Sequence, residues 1–168
     1  EAASNLFVQF AGAATPQKLD EATKHYDVLI KDFADSEYSV LASLQMARLQ
    51  LDKGDHAAAR AHLQWALDHA QTDGVRHSAR LRLARLLLAT GETDAAEKLI
   101  ANINEPSHTA LYEELRGDIA RARGKLEDAH AAYERALAAM PESVPGRTLI
   151  EAKRDDSVQG AASAETGS

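Results

Sequence analysis

The chain has 168 residues, no Cys, 45% hydrophobic and 5% aromatic residues, and a formal net charge of −7. The absence of Cys excludes disulfides and thiolate metal sites, and the acidic balance argues against general nucleic-acid binding, which needs a basic surface. A composition built mainly from Ala and Leu favours helices, so we expect an all-α protein.

The first 34 residues predict two helices. An apolar stripe at helical spacing marks the first of them, formed by Ala3, Leu6, Phe7 and Phe10. Thr15 and Pro16 open the next helix, with Thr as the cap and Pro at the first helical position. Ala22 and Tyr26 lie on its apolar face. We therefore expect residues 1–34 to form a degenerate first repeat with a capping role.

Three glycines share one frame of neighbours along the rest of the chain. Gly54, Gly91 and Gly124 lie 37 (91 − 54) and 33 (124 − 91) residues apart. Each has a small residue seven positions earlier, a second small residue five positions later and a large residue nine positions later. Around the three glycines in turn these are Ala47, Ala59 and Leu63; Ala84, Ala96 and Ile100; and Gly117, Ala129 and Tyr133.

This frame has a simple physical reason. Small residues let two antiparallel helices approach closely, and Gly in the turn adopts a left-handed conformation without steric penalty. The spacing matches the tetratricopeptide (TPR) pattern of about 34 residues per helix-turn-helix repeat. The predicted fold is therefore all-α, with TPR-like helical hairpin repeats that form a short right-handed solenoid.

The predicted organisation is one TPR-like domain over residues 1–154. Full repeats occupy 35–71, 72–105 and 106–141, and the segment 142–154 has room for one short C-terminal helix at Thr148–Arg154. In the middle repeat, Asp94 and Glu97 have the spacing of a capping box. Residues 155–168 have almost no apolar side chain to bury, so we expect a disordered tail there.

No pattern of catalytic or cofactor-binding residues is found in the sequence. It has no HExxH, GxxxxGK[ST] or GxGxxG motif. His62 and His69 lie seven residues apart on one predicted helix, about 10 Å, which is too far for two ligands of one metal. The adjacent carboxylates Glu113 and Glu114 lack a partner base. We expect no enzymatic activity and no cofactor; a His-based metal protein or enzyme is the rival hypothesis.

Basic residues are densest at the start of the middle repeat. A candidate anion site is formed there by Arg76, His77, Arg80, Arg82 and Arg85. The alternative to an anion site is a solvent-exposed helix face, because basic residues on a helix are usually exposed to water.

A partner-binding face is predicted on the first helix of each repeat, because those helices line the concave side of TPR arrays. Arg48 and Arg85 stack one repeat apart above an apolar floor, which suits an extended peptide or an amphipathic helix. The predicted partner-binding residues are Leu41, Leu44, Arg48, Leu51, Leu81, Arg85, Leu88, Leu111, Glu114, Asp118 and Arg121. The alternative is that these leucines contact neighbouring helices or are covered by the chain's own terminal segment.

Three short runs resemble a narrower group, the periplasmic TPR-like domain of the YfgM family of ancillary SecYEG translocon subunits. The runs are Tyr38-x-x-x-Ala42-Ser43-Leu44, Leu81-Arg82-Leu83-Ala84-Arg85, and Leu115-Arg116-Gly117-Asp118 followed by Gly124. The resemblance covers residues 38–140 and, more weakly, 1–37.

The resemblance implies a bacterial protein at the periplasmic face of the inner membrane, with a single-pass anchor upstream of residue 1. It implies binding to SecYEG and to a PpiD-like chaperone, in support of secreted proteins, with no catalytic residues. The expected partners are thus proteins rather than nucleic acid, and the membrane is contacted only through the anchor. The alternatives are a soluble TPR scaffold or an outer-membrane assembly factor with another protein partner.

Overall fold

The structure is a computed structural model that describes the backbone of residues 1–166 and the side chains of residues 1–158. Nine α-helices and no strand are found in this part of the chain. They are α1 (Ala2–Ala13), α2 (Leu19–Asp32), α3 (Glu37–Asp52), α4 (His56–His69), α5 (Asp73–Ala89), α6 (Thr93–Ile100), α7 (Thr109–Ala122), α8 (Leu126–Ala138) and α9 (Arg147–Thr166). The predicted all-α class with helical hairpin repeats is confirmed.

The three frame glycines form the turns of the hairpins. Gly54, Gly91 and Gly124 have φ values of +78°, +83° and +72°, in the region where a side chain is strained and Gly is not. They lie between α3 and α4, α5 and α6, and α7 and α8 respectively. The spacing of the glycines in the sequence therefore predicted the positions of these turns.

The helices form two compact units, Glu1–Leu86 and Leu87–Ser168. In unit 1 the side chains of α1, α2 and α3 share one buried cluster. Its members are Phe10, Ala13, Ala22, Tyr26, Leu29, Ala42, Met46 and Leu49. Two polar caps fix the helices that follow: Ser36 accepts a hydrogen bond from the Tyr38 amide, and Asp55 accepts one from the Ala58 amide.

In unit 2 the smallest residue of the frame faces the largest. A Cβ atom added at Gly117 of α7 would lie 2.6 Å from Cδ1 and 2.9 Å from Cζ of Tyr133 on α8. Only Gly therefore fits here without moving the ring. A buried cluster joins α8 to α9, formed by Ala129, Tyr133, Ala136, Leu137 and Ile150.

The C-terminal helix differs from the prediction of a short helix followed by a disordered tail from Asp155. Helix α9 begins at Arg147 and continues without a break to Thr166. Ile150 packs in the unit 2 cluster, and Ser157 is buried and donates a hydrogen bond to the carbonyl oxygen of Lys153. The last two residues of the predicted tail, 167 and 168, lie outside the described residues.

Two predicted helix caps are not formed. Thr15 has no side-chain capping bond, and a 3₁₀ turn at Pro16–Lys18 precedes α2. The capping box of Asp94 and Glu97 is also wrong, because the residue that precedes α6 is Glu92 and its side chain makes no cap. Both carboxylates instead bind Arg123, the residue that follows α7.

A polar network lies inside the apolar core of unit 1. The Tyr26 hydroxyl is 3.1 Å from Ser43 Oγ and 3.1 Å from His62 Nδ1. Burial lowers the pKa of His62, while the negative charges of Asp27 and Asp55 oppose this shift. The imidazole is therefore held preferentially neutral in the folded state.

We expect the free energy of unfolding to fall as the pH is lowered through about 6.5, the ordinary pKa of His. The reason is that, as the pH falls, His62 binds a proton in the unfolded chain at a higher pH than in the folded chain. The free energy of unfolding therefore keeps falling until the pH reaches the lowered pKa of His62 in the folded state. Urea unfolding followed by Trp65 fluorescence, at about pH 7.5 and about pH 5.5, measures this. His62→Gln should lose part of the pH dependence, and the exposed His56→Gln should keep it. Equal pH dependence in the parent and in His62→Gln would contradict this account.

Candidate functional site

An open groove of about 420 Å³ lies beside α3 in unit 1. Its floor contains the small and large frame residues of this hairpin, Ala47 and Leu63, which are both buried. The other lining residues are Leu44, Gln45, Arg48, Leu51 and Arg82. The groove therefore lies directly above the packed seam between α3 and α4.

The groove combines apolar surface with positive charge. Leu51 keeps 39% of its surface exposed at the rim. Arg48 and Arg82 are both exposed, and no residue that lines the groove is acidic. Neither guanidinium forms a hydrogen bond or an ion pair with another residue in the described part of the chain. In a protein of net charge −7, this arrangement favours a ligand that carries both apolar groups and carboxylates.

The structure brings together three of the residues predicted to bind a partner in unit 1. Leu44, Arg48 and Leu51 line the groove, and Leu41 is half-buried on the same helix. Leu81 is buried, as Leu44 is, but unlike Leu44 it is not among the residues that line the groove. Arg85 is exposed but is not among the lining residues. In unit 2, Leu88 is half-buried.

Sequence reasoning missed Gln45 and Arg82. Arg82 holds the position in its repeat that Gln45 holds in the preceding one (82 − 45 = 37). The repeat frame therefore relates Arg82 to Gln45, but the sequence analysis placed on the concave side the residues three positions later, 48 and 85. Arg82 takes the role at the groove that was expected of Arg85.

Arg82 is also the member of the predicted basic cluster that reaches the groove. Arg76 forms an ion pair with Asp73 and donates a hydrogen bond of 2.8 Å to the carbonyl oxygen of Ala70. Arg80 Nη1 lies 3.5 Å from His77 Nδ1. These two arginines are engaged within the chain and do not join Arg82 in one anion site.

The predicted binding residues of α7 contact the chain's own C-terminal helix. Lys153 Nζ of α9 lies 2.8 Å from Glu114 Oε1 and 2.9 Å from the Asp118 carboxylate. Arg121 is 3.6 Å from Asp156, whereas Leu111 remains 41% exposed. The chain's own C-terminal helix therefore contacts Glu114 and Asp118, two residues that the sequence analysis placed on the partner-binding face.

A hydroxyl completes this ion-pair network. Tyr133 donates a hydrogen bond of 2.8 Å to Asp118, and Lys153 Nζ lies 5.9 Å from the centre of the Tyr133 ring. Burial, and then the hydrogen bond to Asp118, raise the pKa of Tyr133, so the hydroxyl keeps its proton. Burial lowers the pKa of Lys153, but the hydrogen bonds to Glu114 and Asp118 outweigh it and the net shift is upward. The lysine therefore stays charged and fixes α9 to α7.

Two further searches of the described residues bear on function. No three His, Asp or Glu side chains among them are grouped closely enough to hold a metal ion. None of the described helices combines the length and the apolar character needed to cross a membrane.

Comparison with known families agrees with the hairpin geometry. The family model of the tetratricopeptide repeat-like domain matches residues 1–159. The chain belongs to this TPR-like family. The match extends into α9, which the sequence pattern alone had placed mostly outside the domain.

Several proteins named ancillary SecYEG translocon subunit are similar to this TPR-like chain. The one from Neisseria gonorrhoeae is 29% identical over 157 residues, which cover 92% of this chain and 74% of the relative. The one from Escherichia coli is 32% identical over 97 residues, which cover 58% of this chain and 47% of the relative. The one from Aggregatibacter actinomycetemcomitans is 27% identical over 113 residues, which cover 67% and 55%.

We expect Lys153→Ala to lower the free energy of unfolding by about 1–2 kcal/mol. This value lies between those of exposed and buried ion pairs, because Glu114 and Asp118 keep only 15% and 23% of their side-chain surface exposed and would lose their shared cation. Urea unfolding followed by circular dichroism measures the change. The matched control is Arg154→Ala, which should be indistinguishable from the parent, since among the described side chains Arg154 forms an ion pair only with its exposed neighbour Asp155. Equal stability of both variants would show that the ion pairs do not hold α9.

Proposed function

We propose that this TPR-like chain is a non-enzymatic protein-binding module of a translocon accessory protein, and that it binds its partner in the groove of unit 1. The observation that carries the proposal is the lining of that groove. Arg48 and Arg82 are exposed beside the exposed Leu51, above the buried Leu44 and Leu63, and the lining contains no acidic residue.

The chemistry of the groove defines the partner segment. Apolar side chains of the segment would cover the exposed surface of Leu51 and remove it from water, which favours the complex. A carboxylate beside these apolar groups would pair with Arg48 or Arg82, whose planar guanidinium groups can form two parallel hydrogen bonds. The expected segment is therefore apolar and acidic, in an extended or a helical conformation.

The translocon enters the proposal through the named relatives. Several proteins similar to this chain are named ancillary SecYEG translocon subunit, so we infer that SecYEG is a partner. The finer assignment follows the family resemblance: a PpiD-like chaperone as the second partner, and the periplasmic face of the inner membrane as the location, with an anchor before residue 1. The module then brings translocon and chaperone together and has no chemistry of its own.

Capture of purified partners tests the proposal. The chain is immobilised and incubated with purified SecYEG in detergent or with the purified PpiD-like chaperone. The double variant Arg48→Glu with Arg82→Glu should capture at least about tenfold less of one of them, because each reversal replaces an attraction by a repulsion. The readout is the amount of partner retained at matched loading.

The control carries the same change in net charge elsewhere in unit 1. Lys24→Glu with Lys31→Glu alters two exposed residues of α2 and should leave capture within about twofold of the parent. Circular dichroism confirms that both variants remain folded. Equal capture by the parent and by the groove variant, or an equal loss in the α2 control, would reject the groove as the binding site.

A further inference from the structure

Unit 2 has a groove of its own, formed by α6, α7 and α8, with a volume of about 410 Å³. None of its lining residues belongs to the groove of unit 1. Small and branched apolar side chains form its floor: Ile100, Ala101, Ile119, Ala120 and Ala132. The alanines keep the floor low, so there is room above it for side chains of another molecule.

The cations of unit 2 are concentrated at this groove. Residues 87–168 contain nine Lys and Arg against fifteen Asp and Glu, a net charge of −6 (9 − 15). Five of the nine cations nevertheless line the groove, together with only two acidic residues, Glu97 and Asp128. The five are Lys98, Arg116, Arg123, Lys125 and Arg135.

Three of the five cations are already paired within the chain. Arg116 and Arg135 share the carboxylate of Glu113, at 2.6 Å and 2.8 Å. Arg116 also donates hydrogen bonds to the carbonyl oxygens of Ile100 and Ile103. Arg123 binds Asp94 and Glu97. These arginines hold α6, α7 and α8 together, so the walls of the groove are fixed in position.

Lys98 and Lys125 are the cations available to a ligand. Both are exposed, and neither ammonium group makes a hydrogen bond or an ion pair with any residue that the structure describes. Lys98 belongs to α6, and Lys125 lies in the turn immediately before α8, so the two ammonium groups border the groove from two different segments of the chain. A bound segment with carboxylates at separate positions can pair with both of them.

We propose that this groove is a second binding site, which takes an acidic amphipathic segment of a partner protein. Apolar side chains of the segment lie on the floor, where Ala101 and Ala120 keep accessible surface, and its carboxylates pair with Lys98 and Lys125. A nucleic acid is a poorer match, because the acidic residues of unit 2 repel a continuous line of phosphates and the apolar floor gives a phosphate backbone no favourable contact. The site extends the proposed function, since a module with two grooves can hold two segments at once.

Nuclear magnetic resonance of the full ¹⁵N-labelled chain tests the site directly. The probe is a synthetic peptide of Leu and Glu, with Leu at positions i, i+3, i+4 and i+7 of a helix. We expect the amide signals of α6, α7 and α8 that border the groove to shift on titration, including those of Ile100, Ile119 and Ala132. The variant Lys98→Glu with Lys125→Glu should weaken these shifts by at least about tenfold in apparent Kd.

Matched variants separate this site from the groove of unit 1. Arg48→Glu with Arg82→Glu, and Lys24→Glu with Lys31→Glu, change the net charge equally and should leave the unit 2 shifts within about twofold of the parent. Signals far from the substitutions show that each variant is folded. If the unit 2 shifts persist while the Arg48 and Arg82 variant captures partners normally, the proposed function fails and the second site stands.

Four outcomes would overturn the proposal. The first is the absence of shifts in α6, α7 and α8 at saturating peptide. The second is an unchanged titration of the Lys98 and Lys125 variant. The third is equal binding of a peptide with Ser in place of Leu, or of a single-stranded oligonucleotide, which would indicate a general anion surface. The fourth is the same set of shifts on raising the protein concentration without peptide, which would identify a second copy of the chain as the occupant.

Discussion

The contact of Gly117 with the ring of Tyr133 sets how closely α7 and α8 approach. Because the ring occupies the volume that a Cβ would need, the two helices meet at a distance that only Gly at position 117 permits. The same approach brings the Tyr133 hydroxyl to Asp118, one residue further along α7. Asp118 and Glu114 then hold Lys153, and through it α9. One close approach thus fixes three helices of unit 2.

The same constraint explains why grooves form at all. A hairpin whose seam contains small residues beside a buried large one has little side-chain volume along its edges, so the surface beside the seam stays low. In unit 1 the seam residues Ala47 and Leu63 form part of the groove floor. In unit 2 the low floor is made by Ala101, Ala120 and Ala132. Both grooves carry cations although the chain is acidic overall, which gives the protein two places where a carboxylate beside apolar groups is favoured over other ligands.

The repeat frame could be predicted from the sequence because it depends on local spacing. The turn glycines Gly54, Gly91 and Gly124 have positive φ, and the small and large residues of the frame are buried. These features recur at fixed intervals within each hairpin. Within each hairpin the frame runs only from seven positions before the glycine to nine positions after it, so a periodic pattern contains the turn and the packing of its two helices.

The contacts that the sequence did not reveal join segments that no periodic pattern links. Lys153 binds residues 35 and 39 positions earlier. Ion pairs of this kind help to hold α9 in place, whereas the sequence analysis looked for apolar residues to bury. It therefore predicted a short helix and a disordered tail in place of α9. Asp94 and Glu97 have the spacing of a cap but bind Arg123 across the hairpin interface. Arg82 lines the groove, although the sequence analysis did not place it on the concave side of the repeats. Long charged side chains can reach partners on other helices, so their spacing in the sequence does not identify those partners.

A double-mutant cycle at Gly117 and Tyr133 tests the packing constraint most directly. Gly117→Ala alone should lower the free energy of unfolding by about 1–3 kcal/mol, as expected for an added methyl group in a packed interface. In a Tyr133→Leu background the ring is gone, so the same substitution should cost much less or stabilise the helix, because Ala is the better helix former. Urea unfolding of the four proteins gives the coupling energy. An equal effect of Gly117→Ala in both backgrounds would contradict the claim that this contact sets the helix approach.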